Sequence, residues 1–334
     1  CALLRKLVAD KNTRWFFAGM VILAANAGGA WSPIGDVTTI MLWIKGNITA
    51  GNIILETIIP SLVSLLVPVA IIGMTMKGKL ERPEKVESEE ISTVTRKQSL
   101  IILIMGVGLL LFVPFFKTIT HLPPYLGILF GLGILWITTE IMHKNNPANY
   151  SRLNVTAIIQ KVDVPSVLFF LGILMAVSCL NEAGHLGQLA GVLDKLENVY
   201  VINIVIGVLS SIIDNVPLVA AAMGMYPVVP IELATEATKA FVQDGAFWEG
   251  LAYCAGTGGS LLIIGSAAGV AVMGMEKIDF IWYLKKITLW ALIGYLAGAG
   301  TFYLMSQFIF HEHLRDLASR YAQSYCCGAC AYRK

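Results

Sequence analysis

Long apolar stretches that are nearly free of charge restrict what this chain can fold into. A helix needs roughly 20 apolar residues to cross the hydrocarbon core of a bilayer, which is about 30 Å thick. Stretches of this kind lie at residues 53–76, 99–116, 125–142, 164–180 and 280–310. The sequence therefore predicts an all-α polytopic membrane protein.

Composition excludes several other classes of protein. The 334 residues are 56% hydrophobic and only 14% charged, with a mean hydropathy of +0.72, whereas soluble domains are about 45–50% apolar and about 25% charged. A net charge of +2 provides little attraction for polyanions. A soluble enzyme, a disordered chain and a nucleic-acid binder are therefore disfavoured. The sequence contains no nucleotide-binding or metalloprotease motif, and no cofactor is expected.

Three further apolar stretches are interrupted at their centres by polar or helix-breaking residues. Residues 15–44 and 248–275 contain Gly, Ser and Thr, with Pro in the first, and we interpret them as broken helices. Residues 200–226 are interrupted by the sequence Asp-Asn-Val-Pro at 214–217. The two arms of this stretch are each too short to cross a bilayer, so we predict a re-entrant hairpin that enters and leaves from one side.

The distribution of Lys and Arg supports this topology. Cytoplasmic loops of membrane proteins carry an excess of basic residues. With residues 1–14 in the cytoplasm, most basic residues fall on cytoplasmic loops, whereas the outer loops carry only Lys117, Lys195 and Lys239, with Lys45 at a helix edge. The bias is obtained only if residues 200–226 form a re-entrant hairpin.

The two broken helices share an internal repeat. Residues 26–36 align with residues 256–266 at one constant spacing, and this alignment pairs glycines of the two segments: Gly28 with Gly258, Gly29 with Gly259, and Gly35 with Gly265. The charge distribution makes the two segments run in opposite directions, so we predict an inverted-topology repeat. Paired broken helices mark transporter binding sites near the bilayer midplane. A pair of Gly-rich helix-packing contacts is the alternative.

Two carboxylates are the principal candidates for chemistry. Asp36 follows the first break and Asp214 lies at the hairpin tip. An acidic side chain at mid-membrane costs about 2.5–3.5 kcal/mol on insertion scales, which makes each a functional hypothesis. One carboxylate that binds either a proton or a cation exchanges H⁺ for Na⁺. The alternative for each is capping of a half-helix N-terminus.

Neutral oxygen atoms surround these carboxylates in the sequence. They either complete a cation shell or satisfy backbone groups that the breaks leave free. The candidates are Asn26, Ser32, Thr38, Thr39, Asn215, Thr257, Ser260 and Ser266.

The motifs at these positions resemble those of a known family. The stretches ANAGGAWSPIGDVTT at 25–39 and SIIDNVPLVAA at 211–221 are similar to the NhaD-type sodium/proton antiporters of the ion transporter superfamily. The resemblance covers most of residues 1–310. It implies two inverted repeats, each with scaffold helices, a re-entrant hairpin and a broken helix. It also implies a protein of the bacterial inner membrane, which expels Na⁺ or Li⁺ in exchange for H⁺ that moves inward. A homodimer is compatible with the resemblance.

The same comparison predicts the domain organisation. Residues 1–76 form the end of the first repeat, 77–97 a polar cytoplasmic linker, 98–310 the second repeat and 311–334 a tail. The first repeat has far fewer residues ahead of its broken helix than the second. We therefore expect the chain to be a fragment that lacks the N-terminal scaffold helices and first hairpin.

Other functions remain open from sequence. One is a Na⁺-coupled carrier of a small anion such as a dicarboxylate or arsenite, which would need basic residues near Asp36 or Asp214. Another is an intramembrane enzyme in which these two residues form a protease dyad. The last is a purely structural membrane subunit.

Overall fold

The computed structural model describes residues 2–75, 95–120, 122–143, 159–160 and 164–307. Within these ranges the chain is helical and contains no β-strand, which confirms the all-α class. The predicted tail and almost all of the predicted linker lie outside the described residues. The helices are α1 (Ala2–Leu7), α2 (Lys11–Ala30), α3 (Val37–Lys45), α4 (Ala50–Thr75), α5 (Arg96–Thr120), α6 (Pro124–His143), α7 (Val164–Glu182), α8 (His185–Leu193), α9 (Val199–Leu209), α10 (Asn215–Met225), α11 (Ala246–Gly258), α12 (Ala267–Glu276), α13 (Phe280–Lys286) and α14 (Thr288–Gln307).

Several of these helices have the length and composition of membrane spans. Of the described helices, α4, α5, α6 and α14 are long and apolar enough to cross a bilayer. The predicted span at 164–180 falls within α7, of which only the part from Leu171 onward is classed as a shorter apolar helix. The protein is an integral, multi-pass membrane protein.

The last apolar stretch bends where sequence predicted one continuous helix. α13 ends at Lys286, and Ile287 separates it from α14. Two hydrogen bonds bridge the bend, from Ile287 N to the Tyr283 carbonyl at 2.8 Å and from Ala291 N to the Ile287 carbonyl at 3.0 Å. The Ile287 side chain is buried against Gly19, where an added Cβ would lie 2.8 Å from its Cδ1. The bend therefore accompanies close packing on α2.

The interrupted stretches are divided into pairs of short helices. Residues 31–36 separate α2 from α3, and residues 259–266 separate α11 from α12. The interruption at 210–214 leaves α9 and α10 with 11 residues each. At 1.5 Å per residue each arm is about 16 Å long, roughly half of the hydrocarbon thickness. Re-entry from one face and the repeat boundaries stay predictions.

The chain divides into two compact units. One comprises residues 1–83 and 177–334, and the other residues 84–176. In the second unit α5 packs along α6 with glycines at the contact: a Cβ on Gly127 would lie 2.9 Å from the Phe116 ring, and one on Gly131 3.2 Å from Leu109. Every residue predicted for the site belongs to the first unit.

The hairpin packs on the second broken helix through a close backbone contact in the first unit. α9 lies against α11, and a Cβ on Gly207 would lie 2.6 Å from the Cys254 carbonyl oxygen and closer still to the Tyr295 hydroxyl. The buried Tyr295 hydroxyl donates to the Ile204 carbonyl at 2.9 Å, and Tyr253 donates to the Tyr295 carbonyl at 2.9 Å. These bonds fix the distance between α9, α11 and α14.

An ion-pair cluster joins the far ends of the two broken helices. Glu276, at the end of α12, accepts from Arg5 Nε at 2.8 Å and from Arg14 Nε at 3.1 Å. Its backbone carbonyl accepts from the Trp15 indole at 2.9 Å. The Glu276 side chain is only 1% exposed, so these contacts are shielded from water on the carboxylate side. The start of α2 is thus tied to the end of α12.

The contact at Gly207 leads to a stability prediction. Replacing Gly207 with Ala forces α9 away from α11, and overpacking of this kind costs about 1–3 kcal/mol. We expect a lower unfolding temperature for Gly207→Ala in detergent. Gly274→Ala is the matched control, because that helical glycine has open space around it. Equal unfolding temperatures for the two variants would contradict the packing argument.

Candidate functional site

Asp36 is the last residue of the first break and the N-cap residue of α3. One carboxylate oxygen, Oδ1, accepts from Val37 N at 2.6 Å, while Oδ2 accepts from the Thr38 hydroxyl at 3.1 Å. Asp36 therefore caps α3, as the alternative interpretation predicted. Thr39 donates its hydroxyl to the Gly29 carbonyl at 3.3 Å, so a backbone acceptor freed at the end of α2 is satisfied by the start of α3.

The second break repeats this arrangement with Ser in place of Asp. Ser266 begins α12 and its hydroxyl accepts from Gly269 N at 3.2 Å. The freed carbonyls of Ser260 and Leu261 accept from Tyr283 at 2.8 Å and from Thr288 at 2.7 Å. The non-helical backbone is thus satisfied by side chains of α13 and α14, as a hydrocarbon environment requires.

Asn26, near the end of α2, ties the first broken helix to the second break. Its side-chain amide donates to the Ser260 hydroxyl at 2.8 Å and to the Ser266 hydroxyl at 2.9 Å, and all three residues are buried. The helices also approach closely here, because a Cβ on Gly256 would lie 3.3 Å from the Ala30 Cβ and 3.8 Å from Asp36 Oδ2. The two broken helices therefore cross at their interruptions.

The hairpin tip brings a second carboxylate to this crossing. Asn215 donates its side-chain amide to Asp36 Oδ2 at 3.0 Å. Asp214 precedes α10 without capping it, and its Oδ1 is buried with no hydrogen-bond partner among the described residues. The charge of Asp36 acts on Asp214. The Asn215 side chain is therefore bonded to one carboxylate, and Asn215 follows the other directly in the chain.

A small polar cavity lies beside the crossing. It has a volume of about 10 Å³ and is lined by Leu23, Ser64, Thr257, Ser260, Ala291 and Tyr295. This is close to the minimum volume that holds one water molecule. The Thr257 hydroxyl donates to the Tyr253 carbonyl at 2.6 Å, which leaves its oxygen lone pairs for an occupant.

Ser32 and the predicted glycine pairs differ in the contacts that they make at the two breaks. Ser32 takes part in the local turn of the first break, with its carbonyl accepting from Gly35 N at 3.0 Å. Gly28 is exposed and an added Cβ would meet nothing within 4 Å, whereas its repeat partner Gly258 packs directly on Gly207. The close glycine contact within each break is instead made by the other pairs, Gly29 with Gly35 and Gly259 with Gly265.

Sequence reasoning missed two serines. Ser64 faces the small cavity from α4, and Ser210 donates to the Ala255 carbonyl at 3.0 Å, tying the hairpin tip to α11. The signal for Ser64 was a hydroxyl within a highly apolar span. Its position beside the site depends on how α4 packs against α2 and α11, which the sequence does not specify.

The arrangement fits the binding of a small cation. It offers one unpartnered carboxylate oxygen, a second carboxylate nearby, and hydroxyl and amide oxygens. Hard cations prefer such oxygen ligands.

Comparison with known proteins decides the family. A family model described as a citrate transporter, CitMHS, matches residues 1–243. The chain belongs to this transporter family.

Individual relatives in the family agree with the resemblance noted from sequence. Sodium/proton antiporter 1 of Arabidopsis thaliana is 48% identical over 304 residues, which cover 90% of this chain and 50% of that protein. Sodium/proton antiporter 2 of the same plant is 44% identical, with 92% and 71% covered. The Na⁺/H⁺ antiporter NhaD of Alkalimonas amylolytica is 30% identical, with 93% and 65% covered.

The similarity to NhaD-type antiporters is therefore confirmed. The chain spans about half the length of the first of these relatives.

The bridge made by Asn26 leads to a prediction. Asn26→Ala leaves the two serine hydroxyls without their donor, and loss of a buried hydrogen-bond partner costs about 1–3 kcal/mol. We expect reduced stability, and a double-mutant cycle with Ser266→Ala should give a coupling of about 0.5–1 kcal/mol or more. Asn12→Ala, at an exposed position on α2, serves as the control. Additive effects of the Asn26 and Ser266 substitutions would show that the bridge does not form.

Proposed function

We propose that this protein exchanges Na⁺ for H⁺ across a membrane by alternating access, without nucleotide. The observation that carries the proposal is the buried Oδ1 of Asp214, which lacks a hydrogen-bond partner in the described chain and lies within electrostatic reach of Asp36. Binding of a proton or a cation to such an oxygen offsets the free-energy cost of burying it without a partner. The sodium/proton antiporter names of the relatives support the same exchange.

Asp214 and Asp36 take different roles in this mechanism. Both oxygens of Asp36 already accept hydrogen bonds, from Val37, Thr38 and Asn215. Asp36 therefore positions Asn215 and contributes negative charge. Because the Asn215 amide nitrogen is directed to Asp36, its carbonyl oxygen is available to a cation at Asp214. Asp214 then carries either H⁺ or Na⁺ and not both, and this competition produces antiport.

Neutral groups complete the proposed cation shell. Ser260 and Thr257 line the small cavity and belong to the crossing of the broken helices. Asn26, Ser266, Thr38 and Thr39 are engaged in hydrogen bonds that hold the breaks together. We propose the first two as ligands and the other four as residues that shape the site.

The alternative functions are less well supported. The hydrogen-bond partners of Asp36 in the described chain are amide, hydroxyl and backbone groups, none of them basic, so an anion finds no positive partner there. An anion such as citrate, which the family description names, is therefore less well supported than Na⁺ as the transported ion. A protease dyad needs two carboxylates that share a proton, whereas Asn215 bridges to Asp36 here. Membership of a transporter family also opposes an enzyme and a structural subunit.

The membrane and the assembly are further proposals. Sequence favoured a bacterial inner membrane, and relatives from bacteria are compatible with it. The two Arabidopsis proteins are more similar to this chain than the Alkalimonas protein is. A plant membrane is therefore also a candidate. The homodimer stays a prediction.

Transport by aspartate variants tests the exchange. In vesicles holding the full-length protein, Na⁺ should evoke dequenching of a trapped pH dye. Asp214→Asn should reduce this signal to background, because the amide binds neither H⁺ nor Na⁺ as a carboxylate does. Asp36→Asn removes charge-assisted hydrogen bonds, which contribute about 1.5–3 kcal/mol. The Na⁺ concentration that gives half of the maximal signal should therefore rise roughly tenfold or more.

Asp279→Asn is the matched control, since Asp279 is an exposed aspartate that caps α13. It should transport like the unmodified protein. A dequenching signal that survives in Asp214→Asn would overturn the proposed role of the hairpin tip.

A further inference from the structure

A buried carboxyl group lies outside the site described above. Glu249, on the first turn of α11, is 1% exposed. Its Oε1 is completely buried and has no hydrogen-bond partner among the described residues. Thr257 lies eight residues farther along the same helix, about 12 Å away at 1.5 Å per residue. Glu249 is therefore separate from the crossing of the broken helices.

Acidic groups lie near Glu249, and two residues bonded to its chain neighbours, Asn203 and Asn47, each have an unpartnered oxygen. Two other carboxylates, Glu56 on α4 and Asp244 just before α11, lie near enough for their negative charge to disfavour an ionised Glu249. Asn203 donates its amide to the Phe247 carbonyl at 3.0 Å, which leaves its Oδ1 buried without a partner. Asn47 accepts through its backbone from Asp244 N at 2.9 Å, and its Oδ1 is also buried without a described partner.

None of the ion pairs formed by the described residues involves Glu249. α9 and α10 contain no Lys or Arg. Lys45, at the end of α3, is exposed, and Lys239 pairs with Glu236 at 2.5 Å. The basic residues of α2, Lys11 and Arg14, lie at the end opposite to the break, where Arg14 is bonded to Glu276.

An ionised Glu249 is therefore unfavourable in this packing. The effective penalty for burying an unpaired charge is several kcal/mol. The N-terminus of α11 favours an anion by at most about 2 kcal/mol, and the two neighbouring carboxylates oppose it. Within the described ranges, no group of three His, Cys, Asp or Glu residues is placed to hold a metal ion. A bound proton removes this charge, and with it the cost of burying an ionised carboxylate.

We propose that Glu249 is a second proton-binding site, distinct from Asp36 and Asp214, and that it holds a proton in the conformation described here. On the proposed topology the first turn of α11 lies toward the outer face, where H⁺ enters during antiport. Release of this proton then requires a conformation in which Glu249 reaches water. That transport role rests on the proposed antiport, whereas the bound proton does not.

Infrared spectroscopy of the full-length protein in lipid tests the bound proton. At neutral pH the difference spectrum between the unmodified protein and Glu249→Gln should contain the C=O stretch of a neutral carboxylic acid. Glu232→Gln, which replaces an exposed glutamate, should not remove this band. A difference spectrum that shows only carboxylate bands for a folded Glu249→Gln variant would overturn the proposal.

A second variant keeps Glu249 in place. Glu56→Gln removes a neighbouring negative charge, so the neutral-acid band should disappear at a lower pH than in the unmodified protein. An unchanged titration would contradict the electrostatic argument even if Glu249→Gln fails to fold.

The test also separates this site from the proposed function. Asp214→Asn should abolish Na⁺-evoked proton movement and retain the Glu249 band. If the unmodified protein shows the band but no Na⁺-evoked proton movement, the proton site stands and the antiport fails.

Discussion

Backbone that leaves helical geometry inside a bilayer must find its hydrogen bonds within the protein, and the structure depends on how this is done. Side-chain hydroxyl groups satisfy carbonyls at each break: Thr39 of the following half-helix at the first, and Tyr283 and Thr288 of the next helices at the second. Asn26, near the end of α2, then binds the first broken helix to the second break. The polar crossing is thus a requirement of the fold as well as the place where an ion is proposed to bind.

The charge of the residues at the crossing determines whether it favours a cation or an anion. Two neighbouring carboxylates favour a cation over an anion, and the Asn215 amide is bonded to one of them, Asp36. The second repeat has Ser266 where the first has Asp36, although both residues cap a half-helix. The two halves are therefore alike in backbone and different in charge, which concentrates the negative potential on the side of Asp36 and the hairpin tip.

The sequence predicted the features that lipid imposes. Helix length, the two breaks and the short arms around Asp214 follow from apolar stretches and their interruptions, because the bilayer thickness sets the number of residues needed. Ile287, Ser64 and Glu249 were not anticipated. The bend at Ile287 accompanies contact with Gly19, and the other two residues acquire their surroundings from distant helices. Such packing has no local signal in the chain.

The contact between Asp36 and Asn215 is a further feature that the local sequence does not predict. The capping of α3 by Asp36 follows from its place ahead of a helical segment, but its bond to Asn215 joins residues that are far apart in sequence. The motif around each residue indicated that both are polar groups in an apolar region. Only the packing of α3 on α10 brings them together.

The cluster formed by Glu276 with Arg5 and Arg14 has a mechanical consequence. Because the broken helices are fastened to each other at this end and again at Asn26, they have two points of attachment and little freedom to pivot independently. These two attachments favour movement of the broken helices together. A rearrangement that changes the accessibility of the crossing is then favoured between this pair of broken helices and the helices around it.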